Sequence, residues 1–112
     1  MLRESGTGKL ATLSLGDTFA LAVQHWASAT SFTGNDLTGC TLSFRELVRI
    51  AVVISGANLL YQVSVDGQNW IQILSIAKTT QFTTAPDEWG FCINSGQTTF
   101  DTAMNVLSFK ES

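Results

Sequence analysis

Leu59-Leu60-Tyr61-Gln62-Val63-Ser64-Val65-Asp66-Gly67-Gln68-Asn69-Trp70-Ile71-Gln72-Ile73-Leu74 is the stretch whose reading decides the fold. Tyr61, Val63 and Val65 alternate with Gln62 and Ser64, the period of two that places apolar side chains on one face of a half-buried strand. Asp66-Gly67 follows, a pair that accepts the positive φ angles of a tight hairpin. A second strand-like run begins beyond it and reaches Ile76. The unit from Leu59 to Ile76 therefore reads as two antiparallel strands and their turn.

The same period extends outward. Upstream, Phe44, Val48, Ile50, Val52 and Ile54 share one face of a long extended run, with Arg45, Arg49, Ala51 and Val53 on the other. Earlier still, Phe19, Leu21, Val23 and His25 alternate with Thr18, Ala20, Ala22 and Gln24, and Leu10–Leu15 is also strand-like. Downstream, Trp89, Phe91 and Ile93 alternate with Gly90, Cys92 and Asn94, and Met104, Val106 and Ser108 with Leu107 and Phe109. Turn chemistry punctuates these runs at Gly16-Asp17, Gly34-Asn35-Asp36, Gly56-Ala57-Asn58, Ala85-Pro86-Asp87 and Asn94-Ser95-Gly96. Ser43-Phe44-Arg45-Glu46-Leu47 has room for one helical turn. Residues 27–41, rich in Ser, Thr, Gly and Asn, are expected to form an exposed loop. Short strands at this spacing specify an all-β, antiparallel sandwich or barrel. The expected organisation is a single domain over residues 1–112, with residues 1–9 a flexible N-terminal arm.

Composition narrows the function. Hydrophobic residues make up 45% and charged residues only 13%, which excludes a disordered chain. Ordinary domains are about one-quarter charged, so a surface this poor in charge suggests contact with partners, most simply other copies of the chain. The net charge of −3 gives no electrostatic reason to bind nucleic acid or anionic lipid. No apolar run approaches the ~20 residues of a membrane-spanning helix, so no membrane insertion is expected. Cys40 and Cys92 are far apart in sequence and lack metal-ligand spacing; they allow one disulfide, and the simpler reading is two small buried thiols.

Reactive constellations are missing. Gly6-Thr7-Gly8-Lys9 is followed by Leu10 instead of Ser or Thr, has Arg3 where the first glycine of a phosphate loop belongs, and precedes a strand where that loop needs a helix. The one histidine, His25, lies on an expected strand with no nucleophile elbow in the chain, so packing or hydrogen bonding is its simplest role. One His and two scattered Cys do not form a zinc site. Glycoside hydrolysis needs two carboxyl groups facing one bond, and no E-x-D-x-E strand is present. Asp87 and Glu88 are adjacent and point to opposite faces of an extended segment. No catalytic residue, metal or cofactor is therefore assigned. Aromatic rings next to amide or carboxylate side chains remain as candidates for stacking on sugars. On that ground Trp26, Asn35, Asp36 and Trp89 are the candidate glycan-binding residues.

Arg49-Ile50, then Gly56-Ala57-Asn58-Leu59, then Tyr61 to Trp70 with its S-x-D-G-x-x-W ending, resemble a signature of concanavalin A-like lectin/glucanase sandwiches. Thr83–Asn94, with a hydrophobic-Gly-Phe run after a Pro-containing turn, and Ala103–Phe109 resemble later strands of that family. The resemblance covers roughly residues 45–109 and implies a jelly-roll sandwich, trimmed relative to longer members. Modules of this kind occur in bacteriophage virion proteins and as appendages of carbohydrate-active enzymes. The family's catalytic members carry the acidic triplet that is missing here, so the resemblance argues against hydrolysis. The expected function is that of a non-enzymatic structural protein of a bacteriophage virion, a capsid decoration or tail component, located in the virion and packed against its own copies and other virion proteins. The alternative is a carbohydrate-binding module for host-surface glycans.

Overall fold

The computed structural model describes residues 1–15, 20–41 and 49–91. Among them the elements run β1 (Leu2–Arg3), β2 (Leu10–Leu15), β3 (Ala20–Ser28), β4 (Ser31–Thr41), β5 (Arg49–Ser55), β6 (Asn58–Ser64), β7 (Ile71–Ala77), a helical turn α1 (Lys78–Gln81) and β8 (Glu88–Trp89). They form two antiparallel sheets, ordered β4-β3-β2-β1-β8 and β5-β6-β7. The fold is all-β. The expected helical turn at Ser43–Leu47, the strand at Ala103–Phe109 and the thiol of Cys92 lie outside the described residues, as does the side chain of Cys40.

Burial follows the alternation. Leu59, Tyr61 and Val63 of β6 are buried on one face, and in an antiparallel pair directly opposed residues share a face. Rows therefore run Val52–Tyr61–Leu74 and Ile54–Leu59–Ile76 across the smaller sheet. Leu59 and Tyr61 pack with Phe82, and with Ala11 of β2 and Val23 of β3, so one core draws on both sheets.

In place of the flexible arm expected for residues 1–9, the structure has a strand inside the larger sheet. Leu2 pairs with Ala11 of β2 and with Trp89 of β8. A turn follows, closed by Gly8 N–H donating to the Glu4 carbonyl (2.8 Å) and Glu4 N–H to the Lys9 carbonyl (2.9 Å). The reason for the difference is Glu4. Its carboxylate is buried and accepts from the Thr83 N–H, the Thr84 N–H and the Thr84 hydroxyl. These bonds, led by the Thr84 hydroxyl and opposed by burial, lower its pKa to about 2. Asp87 adds a second tie through the Ser5 hydroxyl and N–H, which hold its carboxyl below the usual range.

Residues 27–41 are a second correction. The expected loop is the end of β3 followed by β4, joined through Ala29 and Thr30. Alternation is hard to read there because β4 is bulged. Asp36 is extra between the pairs Val23–Leu37 and Gln24–Asn35, and Thr33 is extra between His25–Gly34 and Trp26–Phe32. Each bulge resets the period of two and re-aims side chains. The β6–β7 connection also differs from a two-residue hairpin, since it spans residues 65–70. Asp66 Oδ1 accepts from the Gln68 and Asn69 N–H groups, both at 2.8 Å, and from the Ser64 hydroxyl at 3.0 Å. These bonds, led by the Asn69 N–H, wind the loop around one carboxylate and hold its pKa far below the usual range. Gly67 takes the left-handed φ of +76°, and Trp70 stays partly exposed.

Candidate functional site

Strand parity decides which candidate residues meet. The β2–β3 register is unbroken, pairing Leu10 with Trp26 and Ala11 with His25. Ala11 belongs to the core, so His25 faces inward and Trp26 stands on the outer face of the same strand. Gln24 shares the parity of Trp26 and pairs with Asn35 of β4.

The outer face thus carries two side-chain pairs. Trp26 and Phe32 meet edge to face, with ring centroids 5.2 Å apart. Gln24 Nε2 donates to Asn35 Oδ1 at 3.0 Å. That bond leaves a carbonyl oxygen on Gln24 and an amino group on Asn35, one acceptor beside one donor. The indole N–H of Trp26 is covered and lacks a partner among the described residues. Aromatic surface next to an amide donor and acceptor has the composition of a sugar-stacking platform.

The inner face carries a different arrangement. Asp36, the bulge residue, turns inward, and its side chain is 7% exposed. Its Oδ2 accepts from Gln81 Nε2 at 2.6 Å and lies 3.0 Å from His25 Nδ1. Gln81 Oε1 in turn accepts the hydroxyl of Tyr61 at 2.7 Å. The chain His25–Asp36–Gln81–Tyr61 therefore connects β3, β4, α1 and β6, and runs from partly exposed imidazole to a fully buried phenol. Burial pushes the Tyr61 phenol well above its ordinary value, and the Asp36 charge pushes it the same way, against the opposing effect of the Gln81 bond. The phenol stays a donor. Gly34 opposite His25 leaves room for the ring, because a Cβ there would lie 3.2 Å from His25 Cε1.

At the exposed end of this chain is an open depression of about 180 Å³. It is lined by Lys9, His25, Trp26, Ala27, Thr33, Thr80 and Gln81. Lys9 Nζ reaches across to donate to the Thr83 hydroxyl at 2.8 Å.

The four sequence candidates do not converge. Trp26 and Asn35 share the outer face of β3 and β4, whereas Asp36 belongs to the inner chain. Trp89 lies on β8, three strands from β3, a lateral separation of ~14 Å at the usual strand spacing. Its ring meets Phe91 edge to face at 6.1 Å. Gln24, Phe32, Lys9, Thr33, Thr80 and Gln81 were not legible as site residues, because a strand's partners depend on a register that four shifts along β3–β4 conceal. Among the described residues no group of three or more His, Cys, Asp or Glu side chains is placed to hold a metal, and no helix is long and apolar enough to cross a membrane.

Comparisons of the chain with models of protein families, with curated proteins and with solved structures gave no match.

Proposed function

We propose that the chain is a non-enzymatic structural subunit of a bacteriophage virion, a trimmed jelly-roll sandwich of concanavalin A-like type that acts by packing against neighbouring subunits. One observation carries the reading. The core-facing rows of the smaller sheet end in apolar residues that the chain leaves half open. In the row Ile50–Val63–Ile71 the centre is buried, while Ile50 is 45% and Ile71 66% exposed. In the row Ile54–Leu59–Ile76, Ile54 is 50% exposed. Val53, Val65 and Trp70 add exposed apolar surface on the same three-stranded unit. β5 and β7 are its outer strands among the described residues, so both backbone pairing and apolar burial are available to a neighbour. Burying the remaining half of each isoleucine contributes about 1 kcal/mol, a modest pairwise gain that repetition in a lattice multiplies.

Light scattering at rising concentration, together with mass spectrometry of purified particles, tests this. The wild-type chain is expected to assemble and to be found in particles, and Ile54→Lys and Ile71→Lys to favour the monomer. A monomer at all accessible concentrations that is absent from particles overturns it.

A second reading is favoured by the outer face of β3 and β4. Trp26, Phe32, Gln24 and Asn35 supply what a carbohydrate-binding module for host-surface glycans needs, a ring surface beside a paired donor and acceptor. Glycan-array binding that is lost in Phe32→Ala and Asn35→Ala supports it. Binding that survives both substitutions removes the assignment.

A further inference from the structure

The depression beside β3 is lined by Trp26 as well as by His25 and Lys9, and its polar groups differ from the amide pair of the outer face. Its central group is an imidazole whose orientation is fixed from behind. Asp36 is acceptor-only, so His25 Nδ1 carries the proton in their 3.0 Å bond. Asp36 is itself anchored by Gln81, and Gln81 by the buried Tyr61 hydroxyl. Such successive support holds a ligand group far more firmly than a loop histidine is held. The other ring nitrogen, Nε2, has no partner among the described residues and is not among the buried unpartnered atoms. In the neutral ring it is an acceptor, on a ring that lines the depression.

Lys9 supplies the complementary charge. One of its three ammonium protons goes to the Thr83 hydroxyl, and two remain without a partner among the described residues. Thr33, brought in by its bulge, and Thr80 from α1 add hydroxyls. No carboxylate lines the depression, since Asp36 sits behind the imidazole. The groups available are thus one cation, two hydroxyls and one oriented acceptor. A plain anion uses the cation and leaves the acceptor idle. A neutral polyol uses the acceptor and leaves the ammonium unpaired. A group bearing both a carboxylate and a hydroxyl engages all of them.

We propose that this depression is a binding site for a small hydroxylated carboxylate, of which an acidic sugar unit is the representative. Lys9 holds the carboxylate, His25 Nε2 accepts a ligand hydroxyl, and Thr33 and Thr80 complete the shell. Asp36 and Gln81 are positioning residues that act through His25.

The test uses the full chain with glucuronate as probe, glucose as the neutral control and acetate as the plain-anion control. Calorimetry is combined with long-range ¹⁵N–¹H spectra of the imidazole. Glucuronate is expected to bind at least tenfold more tightly than either control. Added salt is expected to weaken it, and binding is expected to move the Nε2 resonance of an Nδ1–H tautomer. Lys9→Gln and His25→Gln should each weaken binding roughly tenfold while thermal unfolding shows them folded, and Gln72→Ala, exposed on β7 in the other sheet, should leave it unchanged. Asp36→Asn should weaken binding and also shift the tautomer signal, which a merely structural role would not do. Equal binding of glucose or acetate, an Nε2–H tautomer in the free protein, or no glucuronate binding at about 10 mM overturns the proposal.

Discussion

Replacing Gln81 with leucine isolates the chain of hydrogen bonds that runs between the two sheets. The substitution keeps the bulk of a residue that is buried and removes both of its polar functions. Tyr61 then has a hydroxyl with no acceptor at a position 1% exposed, and an unsatisfied buried group costs ~1–3 kcal/mol. Asp36 loses its 2.6 Å donor and, among the described residues, keeps His25, and a hydrogen bond to a charged group is worth ~1.5–3 kcal/mol. The expected loss is about 4 kcal/mol, or roughly 15 °C in Tm for a chain of this size. Urea unfolding followed by tryptophan fluorescence measures it. The decisive readout is a double-mutant cycle with Tyr61→Phe. In the wild-type background that change strands Gln81 Oε1 and is expected to cost about 1–2 kcal/mol. In the Gln81→Leu background it removes an already orphaned hydroxyl, so it should be neutral or stabilising. An equal cost in both backgrounds would refute the coupling and leave the buried phenol without its assigned partner.

Four further outcomes follow from the geometry. Thr12→Val should stabilise by about 1 kcal/mol, because the Thr12 hydroxyl is buried without a partner among the described residues and the valine is nearly the same shape; thermal unfolding checks it. Gly67→Ala should destabilise by about 1–2 kcal/mol, since Gly67 holds φ +76° and a Cβ would lie 2.9 Å from Arg49 Cδ; chemical denaturation reads the change. Gly34→Ala should displace the imidazole that lies 3.2 Å from the added carbon, visible as a change in the His25 resonances with the fold retained. Glu4 governs acid stability. Its folded pKa of about 2 lies below its ordinary 4.5, so its contribution is complete above pH 4.5 and disappears as pH falls towards 2. Glu4→Gln should flatten the stability profile across that window and leave the profile above it parallel to wild type.

The hairpin β5–β6 was legible because nothing interrupts its alternation. Seven consecutive pairs run from Arg49–Ser64 to Ser55–Asn58 without a shift, so the sequence period is the structural period. β4 was not legible for the opposite reason. Asp36 and Thr33 are inserted residues, and either side of each the faces exchange, so a window across them shows no period. β1 was missed because two residues cannot display a period. What fixes it is a buried carboxylate receiving donors from residues 83 and 84, a tie that no local pattern reveals. At the site, Trp26 and Asn35 stand on neighbouring paired strands, where the sequence suggested a loop. Asp36 was separated from Asn35 by parity and bulge together. Gln81 carries no sequence signal, because its role comes only from where α1 brings it.

The placement of β1 has a kinetic consequence. Its neighbours on either side are β2, which follows at once, and β8, where Glu88 pairs with Arg3 across 85 residues. The three-stranded meander β5–β6–β7 closes entirely from neighbouring residues and can form early. The larger sheet stays open along one edge until the far end of the described chain arrives, and closure of so long a loop is entropically slow. During synthesis that edge of β1 stays unpaired until Glu88 has emerged, which makes β1 the point where a chaperone, or premature pairing with a neighbouring nascent chain, has most influence on yield.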